Sequence, residues 1–193
     1  MAKFAIRLIA CLRGSICLYQ GEELGLPEAE LAFEDLRDPY GIRFWPGFKG
    51  RDGCRTPMPW EAGAVNAGFS VAKPWLPIPD EHRIRAVDVQ NDSNESVLAV
   101  YRAVLALRRR HPSLARGSIR FLDAEGDVLA FVREAEGEAL LCVFNFTGGD
   151  AVWPLPGGFE IAEVLDSVGV EAVGFETNVS LPPLGAFLAR LVD

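Results

Sequence analysis

Beyond Gly117 the chain abandons helical spacing for short apolar runs at residues 128–132, 140–146, 159–165 and 186–191. They are separated by the turn-forming groups Glu125-Gly126-Asp127, Glu136-Gly137-Glu138, Gly148-Gly149-Asp150 and Gly157-Gly158. Runs this brief, regularly punctuated by glycine, suit β-strands joined by tight turns and leave no room for helices. The reading is an antiparallel β-sandwich over residues 117–193, preceded by a different architecture over residues 1–116.

In that first part, Asp92-Ser93 reads as the N-cap of a helix running to about His111, with Val97, Tyr101, Val104 and Leu105 on one stripe. Arg108, Arg109 and Arg110 complement the negative end of its dipole as a solvated helix terminus, and Pro112 stops it. Residues 2–13 read as a helix apolar over most of its circumference, closed by Gly14 as C-cap. Residues 16–19 then read as a fully buried strand of a parallel sheet. A lone parallel strand leaves both edges unpaired and gives the apolar helix nothing to cover, so the sheet partners are expected outside this sequence. Residues 20–92 carry most of the prolines with little periodicity. A stretch that long is functional or disordered, and its tryptophans and phenylalanines favour function.

The 193 residues are 49% hydrophobic, enough for a real core. A formal net charge of −8 repels phosphate backbones and anionic membranes, so neither nucleic acid nor lipid is an expected partner, whereas neutral sugars are indifferent to that field. Cys11, Cys17, Cys54 and Cys142 form no CxxC pair, and His82 and His111 are too few for a zinc site. The cysteines read as free buried thiols, and no metal or cofactor is expected. The apolar stretch at residues 1–12 contains Lys3 and Arg7, lacks a small-residue cleavage site, and falls short of the roughly 20 residues a membrane span needs. The sequons at Asn94, Asn145 and Asn178 read as accidents of composition.

The densest chemistry lies at residues 50–60, GRDGCRTPMPW. Arg51 and Arg55 present planar, permanently charged donor forks suited to carboxylates or clustered sugar hydroxyls, while Pro57 and Pro59 stiffen the loop. Together with the upstream LYQGEELGLPE at residues 18–28, this loop resembles the α-glucosidase (oligo-1,6-glucosidase) branch of glycoside hydrolase family 13, the α-amylase family. Asn91-Asp92-Ser93 and the helix after it look like the family's last barrel helix. The resemblance spans essentially the whole chain but only the C-terminal third or so of a family enzyme.

The resemblance implies an α/β plus all-β fold: the last helix-strand-helix portion of a (β/α)8 barrel, then a C-terminal Greek-key β domain. It also implies retaining chemistry, which needs two carboxyl groups about 5–5.5 Å apart. The family carries these, and a third aspartate, in motifs of the type GxRxD, a strand-end glutamate and NHD; none occurs in this sequence. Glu22 and Glu23 read as neighbours on an extended segment, which face opposite ways and so cannot converge on one glycosidic bond to replace them. By resemblance Arg55 closes the pocket around the terminal glucose, pairing with an upstream aspartate. Arg51, Glu23 and Gln20 are further substrate-binding candidates, and Asp52 is expected to hold the arginines in place. Trp45, Trp60 and Trp75 could stack on sugars but read as packing anchors, and Asp35, Arg37 and Asp38 as architectural. The expected protein is the C-terminal portion of a cytoplasmic α-glucosidase acting on terminal α-glucosidic bonds of oligosaccharides or sucrose. Its partner would be the missing N-terminal barrel portion, and alone it would be inactive. The alternatives are a noncatalytic carbohydrate-binding or structural β module, or part of a sucrose isomerase or trehalose synthase.

Overall fold

A computed structural model describes residues 1–168 and 177–192. Among the described residues the α-helices are, in chain order, α1 (Ala2–Cys11), α2 (Pro39–Phe44), α3 (Asp80–Arg83), α4 (Val87–Asn91), α5 (Val97–Arg110) and α6 (Pro112–Arg116). The strands that follow are β1 (Ser118–Leu122), β2 (Val128–Ala135), β3 (Glu138–Asn145), β4 (Ala151–Pro154), β5 (Ile161–Val168), β6 (Asn178–Leu181) and β7 (Ala186–Leu191). The chain divides into two compact units, residues 1–17 with 102–193, and residues 18–101.

In the first unit β1-β2-β3-β7-β5 form one antiparallel sheet and β4-β6 a second. The alternation of side chains sorts two cores onto its two faces. Phe131, Leu140, Cys142, Phe144 and Leu188 pack with Phe4 and Cys11 of α1, Leu107 of α5 and Leu114 of α6. Ala130, Val132, Leu141, Val143 and Phe187 pack with Trp153, Val179 and Leu181 of the smaller sheet. Strands buried on both faces must read as continuous apolar runs, which is why β2, β3 and β7 were visible in the sequence. The short strands β1, β4 and β6 were not, and the run at 159–165 lies two or three residues early relative to β5. At the β2-β3 turn Glu136 and Gly137 both have positive φ, 54° and 76°, the pattern of a type I′ hairpin that suits the twist of the flanking strands. Asn145, one of the sequons, is fully buried, and its amide donates to the carbonyls of Gly149, Leu181 and Pro182.

Several expectations for the first twenty residues are overturned. Helix α1 ends at Cys11, with extended Leu12 as C-cap in place of Gly14. Its apolar face is covered after all: Phe4 meets Phe144 and Phe146 edge-on, and Arg7 pairs with Asp166 at 2.7 Å. Residues 16–19 are not a strand and are largely exposed, since among the described residues no neighbouring strand offers them ladder partners. Arg108 is not a solvated helix end. It donates to the carbonyl of Ala10 (2.5 Å), left orphaned in the last turn of α1 where the dipole is negative, and to those of Leu12 (2.9 Å) and Gly14 (2.6 Å) just beyond the helix. Arg133, fully buried, donates to Cys11 O (2.5 Å), Ser118 O (2.9 Å) and Gly117 O (3.0 Å). Of the four free cysteines Cys11 and Cys142 are buried, but Cys17 and Cys54 are exposed, contrary to the reading of all four as buried.

The second unit replaces the aperiodic 20–92 stretch with short helices and 3-10 turns around two small apolar clusters, Leu31 with Leu36 and Leu76, and Leu24 with Met58 and Leu98. The expected cap at Asp92-Ser93 lies too early. Ser96 Oγ accepts from the Ala99 N–H at 3.1 Å and starts α5. The buried stripe of that helix runs through Leu98, Tyr101, Val104 and Leu107, so Val97 and Leu105 lie at its margins.

Candidate functional site

The loop at residues 50–60 is fastened by two buried carboxylates. Asp52 Oδ2 accepts the backbone N–H groups of Arg37 (2.5 Å) and Asp38 (2.6 Å). Asp38 Oδ1 caps α2 through the Tyr40 N–H at 3.0 Å, and its Oδ2 accepts the Arg51 N–H at 3.0 Å and Arg51 Nε at 3.3 Å. The Tyr40 N–H, opposed by burial and aided by both donors of Arg51, holds the Asp38 carboxyl below its usual pKa. Asp52 therefore anchors backbone, and it is Asp38 that holds an arginine side chain. Two glycines permit the close approaches this needs. A Cβ on Gly41 would lie 2.5 Å from Lys49 O, and one on Gly53 would lie 2.6 Å from Ala29 O.

The glutamates sit differently from an extended pair, because Glu22–Leu24 is a 3-10 turn entered and left through left-handed Gly21 and Gly25. Glu23 turns back to accept the Gly21 N–H at 2.7 Å, whereas Glu22 is exposed and lines a cleft of about 240 Å³. Both carboxylates bear on Tyr101, whose phenol pKa is raised first by burial and then by the charges of Glu22 and Glu23. Gln90 fixes the turn from behind, donating to Leu24 O at 2.8 Å and accepting the Leu98 N–H at 3.0 Å.

Gln20, Glu22, Thr56 and His82 share the wall of that cleft with Gly53 and Cys54. His82 is buried between Pro27 O (2.9 Å from Nε2) and Thr56 Oγ1 (3.1 Å from Nδ1). A carbonyl can only accept, so Nε2 carries a proton, and in the neutral ring Nδ1 accepts from the Thr56 hydroxyl. Nothing in the sequence pattern flags His82; its partners lie 26 and 55 residues away. Of the four binding candidates only Gln20 lines the cleft. Arg51 is bound to Asp38 with its side chain 62% exposed. Arg55 is half-buried, and its guanidinium has no hydrogen-bond or ion-pair partner among the described residues. Trp45, Trp60 and Trp75 are 36%, 49% and 56% exposed, Trp45 with its ring 5.8 Å from that of Phe33, while Trp153 fills the β-domain core and donates to Asp123 O at 3.1 Å. Among the described residues no three His, Cys, Asp or Glu side chains group as metal ligands, and no helix is long and apolar enough to cross a membrane.

Comparison with known proteins places this geometry. Residues 1–117 match the alpha amylase catalytic domain, and residues 119–188 the maltogenic amylase C-terminal domain. The chain is 50% identical over 190 residues to a probable alpha-glucosidase of Rhizobium meliloti (strain 1021), covering 98% of this chain and 34% of that protein. It is 33% identical over 175 residues to a probable oligo-1,6-glucosidase 2 of Bacillus subtilis (strain 168), covering 80% and 31%. Among solved structures, the alpha-glucosyl transfer enzyme XgtA superposes with a TM-score of 0.88 at 50% identity, covering 99% of this chain and 35% of that one. The trehalulose synthase MutB from Pseudomonas mesoacidophila MX-45 superposes with a TM-score of 0.85 at 27% identity, covering 99% and 38%. The chain thus spans about a third of the length of these relatives. Helices and loops that close a (β/α)8 barrel, followed by an antiparallel β domain, are what these matches share with it: this chain belongs to the α-amylase family of glycoside hydrolases.

Proposed function

We propose that this chain is the C-terminal portion of a retaining α-glucosidase that hydrolyses terminal α-glucosidic bonds of oligosaccharides or sucrose. Residues 1–116 would complete its barrel and residues 117–193 form its β domain. The observation that carries the reading is Arg55, a half-buried residue whose guanidinium has no partner among the described residues, on a loop fastened by Asp38 and Asp52. An always-charged donor fork left open on a fastened loop is suited to a carboxylate or sugar hydroxyls supplied from elsewhere. Arg51, Glu23 and Gln20 support the substrate-binding wall, Glu23 by setting the turn that carries Glu22. The catalytic carboxylates belong to the upstream barrel portion, and without them the 193-residue chain is inactive. Four cysteines free of disulfides support a cytoplasmic location.

The test is to read the source DNA upstream of the Met1 codon and express any in-frame extension. An extended protein carrying GxRxD, a strand-end glutamate and NHD that releases glucose from maltose, isomaltose or sucrose supports the reading, provided the 193-residue chain stays at background. An extension without those motifs, or equal activity in the short chain, refutes it. A second reading, glucosyl transfer or isomerisation in place of hydrolysis, is favoured by the 50% identity to XgtA. It predicts disaccharide products from sucrose with little free glucose.

A further inference from the structure

Two thiols meet on the α1 side of the five-stranded sheet. Cys142 pairs across the β2-β3 ladder with Phe131, and Leu140 with Arg133, so these four side chains project to one face. Helix α1 packs on that face, and Arg133 holds its last residue there by donating to Cys11 O at 2.5 Å. Cys11 and Cys142 are 3% and 0% exposed and share one core. Burial, and next a hydrogen bond with the Cys11 thiol, push the Cys142 thiol well above its usual pKa.

The two differ in access. A cavity of about 10 Å³, room for about one water, lies among Cys11, Leu107, Leu114 and Phe144, and Cys142 is not in its wall. Arg7 and Asp166 also line it and bind each other twice, Nε to Oδ2 at 2.7 Å and Nη2 to Oδ1 at 3.2 Å, with 13% and 23% of their side chains exposed. Every residue of this wall lies within residues 1–17 and 102–193. The ion pair is the polar part of an otherwise apolar enclosure. Its opening admits a small neutral molecule to Cys11, while larger thiol reagents stay outside.

We propose that Cys11 and Cys142 form a peroxide-sensitive thiol pair, which closes to a disulfide and staples the C-terminal end of α1 to β3. Hydrogen peroxide is the oxidant. Cys11 Sγ attacks one peroxide oxygen: the S–O bond forms, the O–O bond breaks, and the leaving hydroxide departs as water with the thiol proton. Cys142 Sγ then attacks the sulfenic sulfur of Cys11. The S–S bond forms, the S–O bond breaks, and a second water leaves with the Cys142 proton. Two electrons pass from the two thiols to one peroxide, and a thiol reductant reverses the bridge. Cys11, in the cavity wall, is oxidised first, and Cys142, shut away from it, resolves the sulfenic acid.

The test uses the 193-residue chain carrying Cys17→Ser and Cys54→Ser, which silence the exposed thiols. Hydrogen peroxide should remove about 2 Da from the native protein and yield a proteolytic peptide linking Cys11 to Cys142, with dithiothreitol restoring the mass. The bridge closes a long loop and should raise the melting midpoint by roughly 10 °C. Asp166→Ala removes the partner of Arg7 and should speed bridging at least about threefold by easing local opening. In Cys142→Ala, dimedone, a trap for sulfenic acids, should label Cys11 in protein whose melt shows it folded. The proposal is overturned if no linked peptide forms, if it forms only in urea, or if Asp166→Ala leaves the rate unchanged.

Discussion

Replacing Arg133 with methionine should be among the most damaging single changes in the β-domain unit. The side chain is fully buried, and its partners are the backbone carbonyls of Cys11, Gly117 and Ser118. Burial pushes its pKa below the usual arginine value, but the three carbonyls, one of them at the negative end of α1, keep the ion solvated internally. Methionine refills most of the volume and orphans the carbonyls. Each buried, unpaired acceptor costs about 1–3 kcal/mol. Removing a buried charge returns part of that, leaving a net loss of about 3–5 kcal/mol, as for breaking other buried ionic arrangements. At roughly 2–4 °C per kcal/mol for a chain of this size, the melting midpoint should fall by about 10 °C. Arg133→Lys keeps the charge but lacks the fork, so it can serve only some of the carbonyls and should fall between the two. Urea and thermal unfolding of the three proteins, followed by far-UV circular dichroism, supply the values. If Arg133→Met unfolds within about 1 kcal/mol of the wild type, these hydrogen bonds do not hold α1 to the sheet and the reasoning fails.

Glu138 binds His111 Nδ1 at 2.6 Å and Ser113 Oγ at 2.5 Å. Burial alone would raise its pKa, but the Ser113 and His111 hydrogen bonds outweigh it and hold the carboxyl below its usual value. The folded-state pKa is thus the lower one, so this contribution is present above the ordinary glutamate range and lost as pH falls through the folded value. Urea midpoints compared between about pH 3 and about pH 6 should show a steeper acid loss in wild type than in Glu138→Gln; parallel curves would refute the linkage. Gly41→Ala should lower stability by about 1–3 kcal/mol, because its Cβ would meet Lys49 O at 2.5 Å and the loop must shift. Chemical denaturation measures this, and an unchanged midpoint would show that the approach is not tight. A thiol reagent should modify the exposed Cys17 and Cys54 rapidly in native protein, with the buried Cys11 and Cys142 reacting only on unfolding; four fast thiols would contradict the packing of α1.

The parts of this protein that one sequence could reveal are those whose signal is local. Strands β2, β3 and β7 announce themselves because burial on both faces demands unbroken apolar runs, and the turn at Glu136-Gly137 because only certain residues tolerate positive φ. The family was legible in residues 18–28 and 50–60, where glycine, proline and arginine fall at fixed offsets. What tertiary structure decided are the pairings across long separations. Arg108 and Arg133 look like surface charges until the carbonyls at the end of α1 and just after it come within reach, 94 to 122 residues away. Asp38 takes the role expected of Asp52, since which carboxylate meets Arg51 depends on how two loops cross at Gly41 and Gly50. Residues 16–19 have the composition of a buried strand, yet a strand exists only where a neighbour supplies its hydrogen bonds. His82 carries no motif and reaches the cleft wall through Thr56 and Pro27, residues remote from it in sequence. Backbone propensity and periodicity are properties of neighbouring residues, whereas the satisfaction of a buried charge or an open hydrogen-bonding edge is settled by what the fold brings alongside it.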